Sequence, residues 1–345
     1  MKRSMVLLVC AAVLSCRAPA HEARVRARAV RPEVHGHRGA RGLRPESTLA
    51  SFEAAIELGV DRVELDLHLS ADNELIVWHD SAISPEFCRY GGALATSDVA
   101  FSGRPVIRSL ALAQLRAFEC DVLQPQFSSQ RAVRARYTER SFSIVTLGEL
   151  FAFTERIAAD ERAPSAVRER ARRVGFNIEL KRGWPGDRAS GDDMAFERAV
   201  LRVIDEHHAR DRVIVQSFDE QTLRTVRALD GGIATSFLSN DGASVQRAAA
   251  VRASIWSPRA EVVTRENASE AHRAGLRVIV WTVNDERALR ELLAMGIDGV
   301  ITDRPDVILR ALHRIPEPLA RHELMLPSST MTSRGSVVRG CAIGR

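Results

Sequence analysis

Residues 62–69 read Arg62-Val63-Glu64-Leu65-Asp66-Leu67-His68-Leu69, an alternation of aliphatic and polar side chains with a period of two. Such a period is that of a β-strand, with Val63, Leu65 and Leu67 on one face and the carboxylates of Glu64 and Asp66 on the other. Gly175-Phe176-Asn177-Ile178-Glu179-Leu180-Lys181 repeats the pattern. Asn177, Glu179 and Lys181 share one face there, and Phe176, Ile178 and Leu180 form the other. If these strands belong to a barrel, the aliphatic face packs against an outer ring of helices and the carboxylates point inward.

Working outward, short β-branched or aliphatic runs alternate with helical stretches along most of the chain. Strands are expected at 34–39, 63–69, 175–180, 213–218, 234–238, 254–256, 277–283 and 299–302. Helices are expected around 48–58, 146–158, 193–209, 219–229, 243–252, 265–274, 285–294 and 305–313. The first is the clearest, an apolar stripe through Glu53-Ala54-Ala55-Ile56-Glu57-Leu58 stopped by Gly59. Eight strands each followed by a helix, with no second repeat, predict an α/β fold of the TIM (β/α)₈ barrel type over residues 34–315. Asp72-Asn73 offers a turn that would add a short antiparallel piece at 75–77.

Residues 81–143 interrupt the alternation with Pro85, Gly91-Gly92, Gly103, Pro105 and Pro125, around one helical segment near 110–118. A structureless loop of that length is uncommon, so the stretch is expected to be a cap inserted after the second strand. Residues 316–345 read as a flexible C-terminal tail.

The N-terminus has the marks of export. Met1-Lys2-Arg3 is a positive start, and Met5 to Leu14 form an apolar run too short to span a bilayer of ~30 Å. Val13-Leu14-Ser15-Cys16 resembles a bacterial lipobox, with residues 1–15 removed and Cys16 as the site of lipid attachment. Ala18-Pro19-Ala20 offers the competing reading, cleavage after residue 20. The protein is thus expected to be exported, either as a membrane-anchored lipoprotein or as a periplasmic or secreted protein. The linker at 16–33 is rich in arginine and suits either a tether on an anionic membrane surface or plain solvation. Of the remaining cysteines, none lies at metal-ligand spacing, which argues against a zinc site. Cys88 and Cys120 flank the loop-rich cap, where an oxidising compartment leaves a disulfide between them open.

Composition removes other classes. With 345 residues, 45% hydrophobic and 27% charged, the chain is an ordinary globular protein. The net charge of +5 is spread evenly beyond the leader, with no basic run to mark a nucleic-acid partner. No protein partner is inferable. All but Lys2 and Lys181 of the 49 basic residues are arginines. A lysine in such a chain points to a need for a compact, rotatable point charge.

Chemistry is expected at the strand ends. Two inward carboxylates repel unless a cation sits between them, and oxygen ligands suit a hard divalent ion such as Ca²⁺ or Mg²⁺. Glu64, Asp66 and Glu179 with Lys181 make a site for a cation and a phosphate together. His37, at the end of the first strand, and His79, beside Asp80, have the side chain suited to proton transfer near neutral pH. Each also has a plainer reading, His37 as a core histidine and His79-Asp80 as a loop-capping pair.

These residues fall in motifs. His37-Arg38-Gly39, Arg44-Pro45-Glu46-Ser47-Thr48, Glu64-Leu65-Asp66, Ser70-Ala71-Asp72 and His79-Asp80 resemble the glycerophosphodiester phosphodiesterase family. So do Asn177-Ile178-Glu179-Leu180-Lys181, Gln216-Ser217-Phe218, Trp281-Thr282-Val283-Asn284 and Thr302-Asp303-Arg304-Pro305, all in family order between residues 34 and 313. The resemblance implies a TIM barrel that hydrolyses glycerophosphodiesters to glycerol 3-phosphate and an alcohol. It implies one divalent cation on Glu64, Asp66 and Glu179, and His37 and His79 as the acid–base pair. Arg38 and Lys181 would grip the phosphate and Trp281 would line the glycerol or alcohol pocket, with Glu46, Asp80, Gln216 and Phe218 in support. The nucleophile it implies is the glycerol 2-hydroxyl, forming a cyclic phosphate that water opens. Ser47 stands where the family usually has Asn, and Ser70 where it usually has Thr. The cap is where substrate choice is expected to vary. A phospholipase D-like action on lysophospholipid or sphingomyelin headgroups shares the motifs and stays as an alternative. A surface lipoprotein that binds without catalysis is the remaining one.

Overall fold

The computed structural model describes residues 31–90, 104–182 and 194–315. The leader, Cys16, nearly all of the Arg-rich linker and the tail at 316–345 lie outside the described residues. All the elements below belong to the unit that starts at Pro32.

The chain runs from β1 (Glu33–Gly36) through α1 (Leu49–Leu58) to β2 (Arg62–Leu69), which turns back into the short β3 (Leu75–Val77). The cap follows, with β4 (Arg89–Tyr90), α2 (Leu112–Leu115) and β5 (Phe118–Glu119). Next come α3 (Leu147–Ala159), α4 (Ser165–Arg173), β6 (Gly175–Leu180), α5 (Ala195–Glu206), β7 (Val213–Ser217) and α6 (Glu220–Leu229). The chain continues with β8 (Ala234–Ser239), α7 (Val245–Ala250), β9 (Ile255–Pro258), α8 (Arg265–Arg273), β10 (Arg277–Trp281), α9 (Glu286–Met295), β11 (Gly299–Thr302) and α10 (Pro305–Ala311).

Strands β1, β2, β6, β7, β8, β9, β10 and β11 pair in that order, and β1 pairs with β11 as well as with β2. All these pairings are parallel, so eight strands close into a (β/α)₈ barrel. β3 lies outside the ring, antiparallel on β2. The aliphatic residues of β2 and β6 face outward into the main core with Val213, Val215 and Phe237. On the opposite face, Ile214, Ile255, Ile279 and Ile301 form a separate apolar cluster inside the barrel. The interior is therefore divided, isoleucine on the β7, β9, β10 and β11 side and charged or amide side chains on β2 and β6.

Local sequence explains the ends of the elements. Thr48 caps α1 by accepting the Ser51 N–H, and Gly59 closes it in the left-handed region at φ 84°. After β1 the backbone folds sharply, with φ of 49° at Arg38 and 86° at Gly39. A Cβ on Gly36 would collide with the Gly39 carbonyl oxygen, so this turn requires glycine. Ser70 serves the β2–β3 turn, its hydroxyl donating to Asp72 (2.5 Å) and accepting the Glu74 N–H (2.9 Å). That turn needs only a hydroxyl, which Ser supplies as Thr would. Ser47 sits at φ 57°, a conformation that suits Asn better, and its buried Oγ has no hydrogen-bond partner.

In the cap, β4 pairs antiparallel with β5, and Cys88 is disulfide-bonded to Cys120. Both cysteines sit in a small core with Trp78, Ile83, Ile107, Leu115 and Phe118. Gln130 ties the cap to the β1–α1 loop by donating to the carbonyls of Arg41 (2.7 Å) and Arg44 (3.1 Å).

The elements differ from the expected ones in places. β1 stops at Gly36 and β10 at Trp281, because the residues that follow at the C-terminal ends of these strands leave the sheet to form loops. The helix expected near 110–118 is one turn, α2, followed by β5. Helix α4 was not expected, since its sequence SAVRERARR buries only Val167 and Ala171 and carries little apolar signal. Among the described residues, no helix is long and apolar enough to cross a membrane.

Candidate active site

Barrel register brings the acids together. Asp66 on β2 stands beside Glu179 on β6, with Glu64 two residues back on β2 beside Asn177. Ligand-capable atoms of Glu64, Asp66 and Glu179 all lie within 4.8 Å of one another. Lys181, 3% exposed, places Nζ 3.1 Å from Asp66 Oδ1 and 2.8 Å from Glu179 Oε1. Burial, added to the charges of Asp66 and Glu179, pushes the Glu64 carboxyl well above the usual range. Burial likewise pushes Glu179 up to about 7 against the pull of Lys181. Asp66 is also buried, yet Lys181, His79 and Arg38 outweigh that and hold it well below the usual range.

Three oxygen donors crowded in this way fit a hard divalent cation. Asp66 Oδ2 is buried and accepts no hydrogen bond, although Arg38 Nε is 3.4 Å away. Such an orphaned carboxylate oxygen, beside two carboxyls whose ionisation is suppressed, is the state a bound cation would relieve.

The histidines are each backed by a carboxylate. His37 Nδ1 donates to Asp303 Oδ1 at 2.6 Å, and its Nε2 lies 3.9 Å from Glu64 Oε2. Asp303 is held by Arg41 Nε (2.5 Å) and Asn284 Nδ2 (2.8 Å). Burial first, then Arg41, push the His37 imidazole down to about 4 against the opposing pull of Asp303. His79 Nδ1 donates to Asp80 Oδ1 at 2.6 Å, and the His79 carbonyl accepts from His68 Nε2 at 2.9 Å. Asp80 is in turn held below the usual carboxylate range by that bond.

Arg38 donates from its backbone N–H to Glu64 Oε2 (3.0 Å) and from Nη1 to Glu46 Oε1 (2.5 Å). Gln216 donates to Glu64 Oε1 at 2.9 Å. The rim across the barrel is aromatic, Phe218 and Trp281 meeting edge to face at 5.7 Å, with Trp281 Nε1 bonded to the Ser257 carbonyl (2.9 Å).

One cavity of about 480 Å³ joins these groups. His37, Arg38, Glu64, Asp66 and His79 line it on the β1–β3 side, and Glu179, Lys181, Gln216, Phe218 and Trp281 on the other. Glu46 and Asp80 stand behind Arg38 and His79, while Cys88 and Cys120 belong to the cap core. Arg41, Leu238 and Asn240 also line the cavity and were not expected from the sequence. Neither were roles for Asp303, Asn284 and His68. Asp303 and Asn284 occur in two of the quoted motifs, and an acid at the end of the last strand was the available signal.

Comparison with known proteins gives the family and the fold. The profile of the glycerophosphoryl diester phosphodiesterase family matches residues 37–307. A glycerophosphodiester phosphodiesterase of Caldanaerobacter subterraneus subsp. tengcongensis is 25% identical over 287 residues, 81% of this chain and 98% of that protein. One from Bacillus subtilis is 25% identical over 279 residues, covering 79% of this chain and 83% of that protein. Among solved structures, a phosphodiesterase from Oleispira antarctica, in complex with the product sn-glycerol-3-phosphate, has the same fold. It superposes with a TM-score of 0.62 at 24% identity, covering 82% of this chain and 97% of that one.

Proposed function

The chain belongs to the glycerophosphoryl diester phosphodiesterase family, enzymes that hydrolyse glycerophosphodiesters, and we propose that it releases glycerol 3-phosphate and an alcohol by metal-dependent acid–base catalysis. The observation that carries this reading is the convergence of two carboxylate-backed histidines, three clustered acids and three cationic side chains, Arg38, Arg41 and Lys181, on one cavity.

Glu64, Asp66 and Glu179 would hold a divalent cation, Ca²⁺ or Mg²⁺, which when bound supplies charge neutralisation for the anionic phosphodiester. Lys181 and Arg38 add fixed positive charge next to the same acids, available to the non-bridging oxygens. Because an ionised Asp303 only accepts, it holds the proton of neutral His37 on Nδ1 and leaves the Nε2 lone pair free. We assign His37 as the base that takes the proton of the attacking hydroxyl. His79, reaching the cavity from the segment that follows β3, is assigned as the acid that protonates the leaving oxygen. Phe218 and Trp281 offer an apolar wall to the carbon skeleton of the substrate.

The test is release of glycerol 3-phosphate from glycerophosphocholine and glycerophosphoethanolamine after chelation and re-addition of Ca²⁺ or Mg²⁺. Release that depends on the cation supports the proposal. Full activity in excess chelator overturns its metal dependence. Headgroup release from lysophosphatidylcholine, with glycerophosphodiesters left intact, overturns the substrate assignment in favour of the phospholipase D-like alternative.

The leader sequence supports a second proposal, that Cys16 carries a lipid which holds the exported enzyme at a membrane surface. A Cys16→Ala variant should then leave the detergent phase. Equal partitioning of both forms would favour cleavage after residue 20.

A further inference from the structure

Glu64 is held at both oxygens by different donors. Oε2 accepts the Arg38 backbone N–H (3.0 Å) and Oε1 accepts Gln216 Nε2 (2.9 Å). Behind Gln216 the bonding continues away from the cavity. Asn177 Nδ2 donates to Gln216 Oε1 (2.8 Å) and also faces His35 Nδ1 (3.3 Å). His35 Nε2 donates to Glu33 Oε2 (3.0 Å), which Arg62 Nε (3.2 Å) also reaches, while Arg277 Nη1 holds Oε1 (2.7 Å). His35, Asn177 and Gln216 are each buried to 2% exposure or less.

The direction of every bond in this line is set from its ends. Glu33, flanked by Arg62 and Arg277, is ionised and only accepts, so His35 must present Nε2–H to it. Glu64, once ionised to hold a cation, likewise only accepts, so Gln216 must present its amine there. That leaves two acceptors, Gln216 Oε1 and His35 Nδ1, facing one another across Asn177. A primary amide nitrogen, with two N–H groups, serves both. Aspartate at 177 would have the same shape and serve neither. Burial lowers the His35 pKa and keeps the Nδ1 lone pair available at neutral pH.

We infer that His35, which does not line the cavity, is a positioning residue for the metal-holding carboxylate of Glu64, acting through Asn177 and Gln216. The inference rests on the reading of Glu64, Asp66 and Glu179 as cation ligands. Groups that orient metal ligands from behind commonly alter metal affinity by about 10–100-fold.

Two substitutions of His35 separate positioning from packing. His35→Asn keeps an acceptor near the Nδ1 position and loses the donor to Glu33. His35→Gln keeps a donor near Nε2 and loses the acceptor to Asn177. Calcium and magnesium titrations by calorimetry, on full-length folded protein with melting curves alongside, give the readout. His35→Gln and Asn177→Asp are expected to weaken cation binding by about 10-fold or more, with His35→Asn within about threefold of wild type. Should Asn177→Asp fail to fold, the two His35 variants carry the comparison. Wild-type affinity in His35→Gln overturns the inference alone, as does equal weakening in both His35 variants. A wild-type protein that binds neither cation overturns the metal-site reading, and this inference with it.

Discussion

His37 and Asp303 lie 266 positions apart in the chain, yet His37 Nδ1 is 2.6 Å from Asp303 Oδ1. The contact exists because the barrel closes, with β1 pairing along β11 from Glu33–Gly299 to Gly36–Thr302. It joins the ends of the first and last strands in one hydrogen-bonded unit, with Arg41 and Asn284 fixing the carboxylate from its other sides.

Asp303→Asn tests that unit. The amide keeps the shape but can donate to Nδ1, which would move the imidazole proton to Nε2 and remove the lone pair that faces the cavity. An Asp-to-Asn change in a comparable His–Asp pair costs turnover by about 10⁴-fold. Here kcat should fall by about 10²–10⁴-fold, with KM and the melting temperature changed much less. A kcat within about twofold of wild type would show that Asp303 does not govern the histidine.

Proton linkage at the acid cluster predicts how cation binding depends on pH. Glu179 is pushed up to about 7 by burial, from an ordinary value of 4.5. Folding of the metal-free protein therefore takes up a proton there, and this contribution to stability is lost as pH rises from about 4.5 through 7. A cation needs the ionised form and must displace that proton below pH 7. The melting-temperature increase produced by CaCl₂ or MgCl₂ should thus be larger at pH 8 than at pH 6. Equal increases at the two pH values would contradict the linkage, and Glu64→Gln should shrink the increase at both.

The cap disulfide closes a loop between positions 32 residues apart. Chain entropy alone assigns such a cross-link about 3–4 kcal/mol, drawn from the unfolded state. Replacing both Cys88 and Cys120 by Ser should lower the melting temperature and speed limited proteolysis inside the cap before the barrel is cut. Unchanged proteolysis and melting in the double variant would show that the cap core of Trp78, Ile83, Leu115 and Phe118 suffices without it.

Much of this was legible in the sequence, for identifiable reasons. β2 and β6 alternate strictly, so their inward acids followed from the period once a barrel was expected. The paired strands then place Asp66 beside Glu179 with no further information needed. What could not be read was contact made only by closure or by burial depth. Asp303 meets His37 across the seam of the barrel, and His35 reaches Glu64 only through two side chains on other strands. Helix α4 escaped because arginines dominate it and its buried face is just Val167 and Ala171. Lys181 was expected to serve the phosphate, and its ammonium stands between Asp66 and Glu179.

That position of Lys181 permits two roles with opposite consequences. If the ammonium chiefly neutralises the acids, its loss should destabilise the fold and leave them free to bind the cation more tightly. If it also grips the phosphate, turnover must fall even where cation affinity is kept. Lys181→Met removes the charge while retaining the stem, and Lys181→Arg keeps the charge but replaces a compact head with a planar fork. We expect both to lose turnover by about 10²-fold or more, while calcium affinity in Lys181→Met holds or rises. The separation is checked by calorimetry and single-turnover kinetics on the same samples, with melting curves to exclude unfolding. Wild-type turnover in Lys181→Arg would make the lysine interchangeable with the arginines used elsewhere in this chain. Weakened calcium binding in Lys181→Met would mean that the ammonium orders the acids, and the phosphate role would fall.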